Sequence, residues 1–206
     1  MENTYMEPEV SDLNKPVMTA KIERPIYLSG ATVFLRDLNA EDVSQDYVNW
    51  MNDPEVMKCT ESRFVTHDLD SIKNFVRLHE RSENSVLLGI FSQDNRLHLG
   101  NIKLGPIQWQ HGLGDIGLIV GRKSFWGRGI ASEAIPLLCD YAFSSLKLHK
   151  LTANCYASNK GSAKAFLKAG FDQEGMRLLH VKGESGWEDV LEFGRINQQG
   201  IGNINQ

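Results

Sequence analysis

What this 206-residue chain has little of narrows its chemistry first. It has three cysteines, Cys59, Cys139 and Cys155, an odd set without the Cys-x-x-Cys or Cys/His spacing of a metal site. Neither a disulfide framework nor a metal centre is therefore expected. Basic charge is not in excess: 22 Lys and Arg stand against 26 Asp and Glu, a formal net charge of −4. A general nucleic-acid binder must neutralise a phosphate backbone, so that class is excluded. No apolar run approaches the ~20 residues of a membrane helix. The first 20 residues hold no apolar core flanked by positive charge, so no secretory leader is expected. A cytoplasmic protein with neither a nucleic-acid nor a membrane partner follows.

What is present fits one domain of ordinary globular composition, 41% hydrophobic and 23% charged. Residues 1–24 are polar, with Pro8 and Pro16, and read as a loose extension; 25–196 read as a single domain and 197–206 as a polar tail. Segments 25–28 and 32–35 are β-prone, and a helix starting at Asn39 or Glu41 runs through Met51 to a stop at Asp53-Pro54. A second helix covers 69–81, with Ile72, Phe75, Val76 and His79 at spacings of three and four. Segments 86–91 and 97–104 read as an antiparallel pair, and 115–120 as the next strand. Ile130, Ala134, Leu137, Leu138, Tyr141 and Ala142 give one apolar stripe to a long helix that contains Pro136. A strand at 151–156, a helix from Asn159 to a cap at Gly170 and a closing hairpin to Ile196 complete an α+β order.

Between strand 115–120 and the long helix lies Ser124-Phe-Trp-Gly-Arg-Gly-Ile-Ala131. A glycine-rich turn opening a helix is suited to a phosphate group, because the first helical N–H groups lack intrahelical partners and the helix dipole is positive there. Gly127 and Gly129 allow the close approach, with Arg122, Lys123 and Arg128 nearby. Lys160, Lys164 and Lys168 recur at helical spacing further on, on a face that is solvated or cationic toward the same ligand. A P-loop would end in Gly-Lys-Ser/Thr, whereas Gly129 is followed by Ile-Ala-Ser. A dinucleotide fold would carry a third glycine in an N-terminal βαβ unit, and this turn lies past the midpoint.

Residues 30–196 resemble the GCN5-related N-acetyltransferase (GNAT) superfamily, particularly its ribosomal-protein-acetyltransferase-like branch. One signature is a strand followed by Q/R-x-x-G-x-G/A and a helix, read here as Ser124-Phe-Trp-Gly-Arg-Gly129, with Ser in place of the leading Gln/Arg. The other is an Asn-led helix ending in Gly-Phe, Asn159 to Phe171. The resemblance implies a twisted, mostly antiparallel mixed sheet of about 6–7 strands with helices on both faces, acting as a monomer or homodimer. It implies acetyl-CoA as donor and no metal. The pyrophosphate would lie on Trp126, Gly127, Arg128, Gly129, Ile130 and Ala131, and the pantetheine arm along Leu118, Ile119 and Val120, with Asn159 and Ser162 across from it.

Acetyl transfer then needs a neutral amine, an oxyanion donor and a proton for the thiolate. The resemblance suggests the N–H near Val120 as oxyanion donor and Asp115 as base, with His111 a weaker candidate. Where many relatives carry a tyrosine that protonates the thiolate, this chain has Phe166, which has no proton to donate. A covalent route through Cys155 is rejected, since a lone strand cysteine is ordinarily packed. Acceptor contacts fall to the variable loop and hairpin: Glu61, Arg63, Phe64 and Asp189, with Trp50, Asn52 and Trp187 near them. The segments around Tyr47–Val56 and Thr60–Phe64 resemble enzymes that acetylate nucleotide-linked aminosugars. A small-molecule amine is thus the expected acceptor; a protein N-terminus and a non-catalytic acyl-CoA-binding module are the alternatives.

Overall fold

Continuous apolar runs in the central strands set the layers of this chain, of which the computed structural model describes residues 21–198. In β2 (Val33–Asp37) Val33 and Leu35 face one core cluster while Phe34 faces another. In β3 (Val86–Ser92), Val86, Leu88 and Ile90 face the first cluster and Leu87 and Phe91 the second. Successive side chains on a strand point to opposite faces, so such a sheet must be covered on both. The first face is covered by α4 (Ile130–Ser144) and α5 (Lys160–Lys168), the second by α1 (Gln45–Asn52) and α3 (Leu69–Glu80).

The remaining strands are β1 (Tyr27–Ser29), β4 (His98–Gln108), β5 (Leu113–Val120), β6 (Lys150–Tyr156), β7 (Asp172–Gly183) and β8 (Gly186–Ile196). They form one eight-stranded sheet in the order β1-β2-β3-β4-β5-β6-β8-β7. The expected class and the helices on both faces hold. The sheet exceeds the expected 6–7 strands because even the three-residue β1 pairs antiparallel with β2, Tyr27 opposite Arg36.

Two local departures have clear causes. The helix expected over 39–51 is split into a 3-10 turn, Ala40–Asp42, and α1, because Asn39 and Ser44 each act as a cap, and Ser44 is extended with its hydroxyl accepting from the Tyr47 N–H. Asp53 then caps a further short helix, α2 (Pro54–Met57), so the chain stops and restarts at Asp53-Pro54. The ordered fold also begins before Pro25: Ile22 is buried in the core, and Arg24 pairs with Asp37 while donating to the carbonyls of His79 and Ser85. At the other end the Asn197 N–H donates to the His149 carbonyl. The rest of the expected extension and tail lies outside the described residues. The long helix α4 runs through Pro136 without interruption.

The feature that positions the site is an incomplete strand pairing. β5 and β6 run parallel but pair over three rungs only, Leu113 with Lys150, Gly114 with Leu151 and Asp115 with Thr152. Beyond them β5 stays bonded to β4 as far as Val120, and β6 to β8 as far as Tyr156. The two halves of the sheet therefore splay, and a cleft of about 1220 Å³ opens between them.

Candidate active site

One wall of the cleft is the free edge of β5. Ile116, Gly117, Leu118, Ile119 and Val120 line it, and no strand occupies their outer side. The other wall comes from Asn154, Cys155 and Tyr156 of β6 and from the start of α5. Unpaired backbone N–H and C=O groups along such an edge need partners, and an extended amide-bearing chain supplies them as an added strand would.

At the outer end the glycine turn forms a cradle. Gly127 and Gly129 have φ of 74° and 84°, a left-handed conformation that strains any other residue. A Cβ built on either meets nothing within 4 Å, so the concave side of the turn is open space. Gly129 is the N-cap of α4 and offers no side-chain acceptor, so the first N–H groups of the helix face the cleft uncapped. Trp126 closes the base of the turn by donating its indole N–H to the Val120 carbonyl at 2.7 Å. Trp126, Gly127, Gly129, Ile130 and Ala131 all line the cleft, whereas Arg128 does not and instead stacks its guanidinium on Phe125.

The cations near the turn are arranged differently from the expectation. Arg122 pairs with Asp46 at 2.6 Å, and Lys123 bridges Asp53 at 2.8 Å and Glu55 at 3.0 Å, so both tie the turn to α1 and α2. Positive charge reaches the cleft from the opposite side: Lys160, Lys164 and Lys168 of α5 line it. Asn159 and Ser162 line it too, and Asn159 also caps α5 by accepting from the Ser162 N–H at 3.1 Å. An open cradle with uncapped N–H groups, a free strand edge and three lysines fits a long ligand that has an anionic end and an amide-rich arm.

The inner end is lined by groups from the second face of the sheet. Asp115 sits at the last β5–β6 rung, beneath the splay rather than on the cleft surface, and accepts from the Thr152 hydroxyl at 2.9 Å. Burial pushes its carboxyl above the ordinary value, against the lowering effects of that hydrogen bond and of the Lys103 and Arg177 charges. Tyr156 donates its hydroxyl to Glu61 at 2.5 Å; burial, followed by the Glu61 contact, pushes the phenol up to about 12. Both residues line the cleft.

Of the expected acceptor residues only Glu61 does so. The Arg63 guanidinium is committed to the carbonyls of Lys58 and Lys182 and lies over the Tyr156 ring. It latches the 60–64 loop to the tip of the β7–β8 hairpin and has no donor turned into the cleft for a phosphate. Phe64 is 66% exposed and lies outside the cleft. The Asp189 carboxylate accepts from the Leu179 N–H at 2.7 Å, satisfying the backbone of a β7 bulge where Leu179 has a φ of 46°. Trp50 is core, packed on Gly121, and Asn52 donates to the Val48 and His67 carbonyls. His111 belongs to the β4–β5 turn, away from the cleft. Sequence reasoning passed over Tyr156, Asn154, Asn101 and Lys103, all of which line it. Their signal was faint: each sits at an alternate strand position that reads as a solvent face.

The model of the GNAT acetyltransferase domain matches residues 32–172. The chain belongs to the GNAT acetyltransferases. Its donor is acetyl-CoA, in keeping with the cradle and strand edge described above. Among similar sequences, the probable N-acetyltransferase YjcK of Bacillus subtilis is 28% identical over 181 residues, covering 82% of this chain and 97% of that protein. Among solved structures, spermidine N-acetyltransferase from Vibrio cholerae, in complex with CoA and spermine, superposes with a TM-score of 0.73 at 19% identity, over 82% of this chain and 97% of that one. Ribosomal-protein-S5-alanine acetyltransferase from Vibrio fischeri gives 0.69 at 19% identity, over 84% and 97%.

Within this GNAT domain Phe166 of α5, the position at which the resemblance implies a tyrosine, belongs to the core. Phe166 is 1% exposed and packs on Phe171 and Phe193 at ring distances of 5.3 and 5.8 Å. Cys155 is buried, and burial pushes its thiol up, so no nucleophilic thiolate is favoured there. Among the described residues no group of three or more His, Cys, Asp or Glu is placed to hold a metal ion, and no helix is long and apolar enough to cross a membrane.

Proposed function

We propose that this enzyme transfers acetyl to the primary amine of a small molecule, and that the acceptor is an aminosugar, nucleotide-linked forms included. The observation that carries the small-molecule reading is the Arg63 latch. By joining the Lys58 and Lys182 carbonyls, two points 124 residues apart in sequence, it holds the 60–64 loop against the β7–β8 hairpin, two segments that flank the cleft through Glu61 and Val181 and so narrow its approach. A polypeptide acceptor needs an open groove there, and a compact amine does not.

When bound, acetyl-CoA supplies a thioester carbonyl to an attacking amine. The chain's own residues do the rest. The Gly127–Ala131 amides and the α5 lysines neutralise the pyrophosphate end, and the β5 edge at Leu118–Val120, with Asn159 and Ser162 opposite, straightens the arm. Asp115, with its raised proton affinity, takes the amine proton through water, since it lies beneath the cleft surface; a general base acts best when its pKa lies near the working pH. A backbone N–H of the free β5 edge, at the end nearer Asp115, stabilises the oxyanion. Phe166 offers no proton to the departing thiolate, which leaves that proton to solvent.

A thiol-release assay with acetyl-CoA against aminosugars, their nucleotide-linked forms, spermidine and N-terminal peptides tests this. Release with aminosugars is the expected result. Turnover confined to peptides overturns the small-molecule reading, and acetyl-CoA binding without turnover of any amine overturns catalysis.

A further inference from the structure

Resting on that reading, one unassigned pair of donors defines the acceptor further. Asn101 and Lys103 lie two residues apart on β4 and so share a face of the sheet, opposite Ile119 and Gly117 of β5. Both line the cleft. The surroundings of each leave a donor turned to that space.

Asn101 is 7% exposed, and its Oδ1 accepts from the His98 ring at 2.8 Å. His98 is wedged among Tyr47, Trp50 and Phe91, with ring distances of 5.7, 5.1 and 4.8 Å, so it cannot swing away. Holding the carbonyl oxygen of the amide in this way presents its NH₂ to the cleft, and among the described residues that NH₂ has no protein partner. Lys103 is half-buried and, among the described residues, makes no hydrogen bond or ion pair, its charge reaching Asp115 only at longer range. Opposite it Gly117 carries no side chain, and a Cβ there would meet nothing within 4 Å. The ammonium group thus borders open volume.

The carboxylates around it are otherwise engaged. Glu61 accepts from Tyr156, Glu192 pairs with Arg177 at 2.5 Å, and Asp115 accepts from Thr152 and feels the Lys103 charge without a hydrogen bond to it. Arg177 and His180 also line this end of the cleft. A lysine and an oriented amide with nothing to donate to, in a partly desolvated pocket, form a seat for an oxygen-rich anionic group.

We propose that the acceptor amine carries a carboxylate or phosphate, and that Asn101 and Lys103 bind this group while the amine faces Asp115. Acceptors that are purely cationic, such as polyamines, are disfavoured by Lys103 at the same place. The distinction sets substrate class: an amine that is also an acid.

Matched pairs test this: glucosamine against glucosamine 6-phosphate, and an amino acid against its amide. Binding to the CoA-loaded protein is measured by calorimetry and turnover by thiol release. The anion-bearing member of at least one pair is expected to bind about tenfold tighter, and Lys103→Met to erase that preference, while Lys103→Arg keeps most of it. Acetyl-CoA affinity should stay the same in both variants, which also shows that they fold. Equal binding within both pairs, or a preference that survives in Lys103→Met, overturns the proposal whether or not turnover occurs. Preferential binding without acetylation of either pair supports the anion seat and counts instead against acetyl transfer to these amines.

Discussion

Thr152 donates its hydroxyl to Asp115 at 2.9 Å on the last rung shared by β5 and β6. That one bond sits where the sheet divides, so it steadies the carboxylate beneath the reacting end of the cleft. Burial raises the proton affinity of Asp115, and the Thr152 bond lowers it.

For catalysis the base must be ionised, so the rate should fall on the acid side at a higher pH than an unperturbed carboxylate would give. Asp115→Asn should lower kcat by about a hundredfold and flatten that limb. Thr152→Val, which removes the stabilising donor, should move the limb to higher pH. An unaltered pH–rate profile in both variants removes Asp115 from the mechanism.

The same shift has a stability counterpart with a definite sign. A carboxyl whose folded pKa exceeds its unfolded one makes the folded state lose stability as pH rises from the unfolded value through the folded value. Asp115→Asn should therefore show a flatter melting temperature over the range between those two values. A melting curve that keeps the wild-type pH dependence contradicts the burial argument.

Gly129 is constrained by conformation and by ligand. Its φ of 84° makes Gly129→Ala cost about 1–2 kcal/mol of stability although the added methyl meets open space. Gly129→Glu should in addition abolish acetyl-CoA binding, because it sets a negative charge in the cradle. Calorimetry on the folded variant decides; unchanged affinity would sink the assignment of the turn.

Arg63→Ala should raise KM for the acceptor several-fold through loss of the latch, with acetyl-CoA affinity unchanged. A steady-state kinetic comparison of both substrates reads this directly. If the donor affinity falls equally, the latch is not specific to the acceptor end.

Phe166 is anchored in the core by Phe171 and Phe193, so Phe166→Ala should cost about 3–5 kcal/mol, measured by denaturant unfolding. A near-neutral effect would mean that the ring is not the packing element its burial indicates.

The donor half of this site was largely legible in the sequence because it depends on local backbone requirements. Gly127 and Gly129 need left-handed φ, and Asn159 caps its own helix; neighbouring residues specify both. The acceptor half was poorly legible because it is assembled from afar. Arg63 reaches a carbonyl 119 residues away, and Asp189 turns back to a bulge in the adjacent strand. Nothing near those positions in the chain announces either partner. Arg122 and Lys123 looked like phosphate ligands for the same reason: their acids lie on α1 and α2, remote in sequence. Lys103 was missed because a charged residue in a strand reads as a solvent face until β6 is seen to part from β5 beside it. The strands were legible as elements, whereas a pairing that stops after three rungs leaves no mark in composition or spacing.

The insertion of β8 between β6 and β7 has a consequence for the order in which the protein is made. β6 is joined to β5 over three residue pairs and to β8 over seven. One wall of the donor cleft is therefore hung chiefly from a strand translated some thirty residues after it, at Gly186–Ile196. A nascent chain that has cleared the ribosome only as far as α5 already contains every acetyl-CoA contact, yet lacks the strand that holds half of them in place. Competence to bind the donor arrives late in synthesis, and a truncation within β8 should silence the enzyme while leaving all of its donor-binding residues intact.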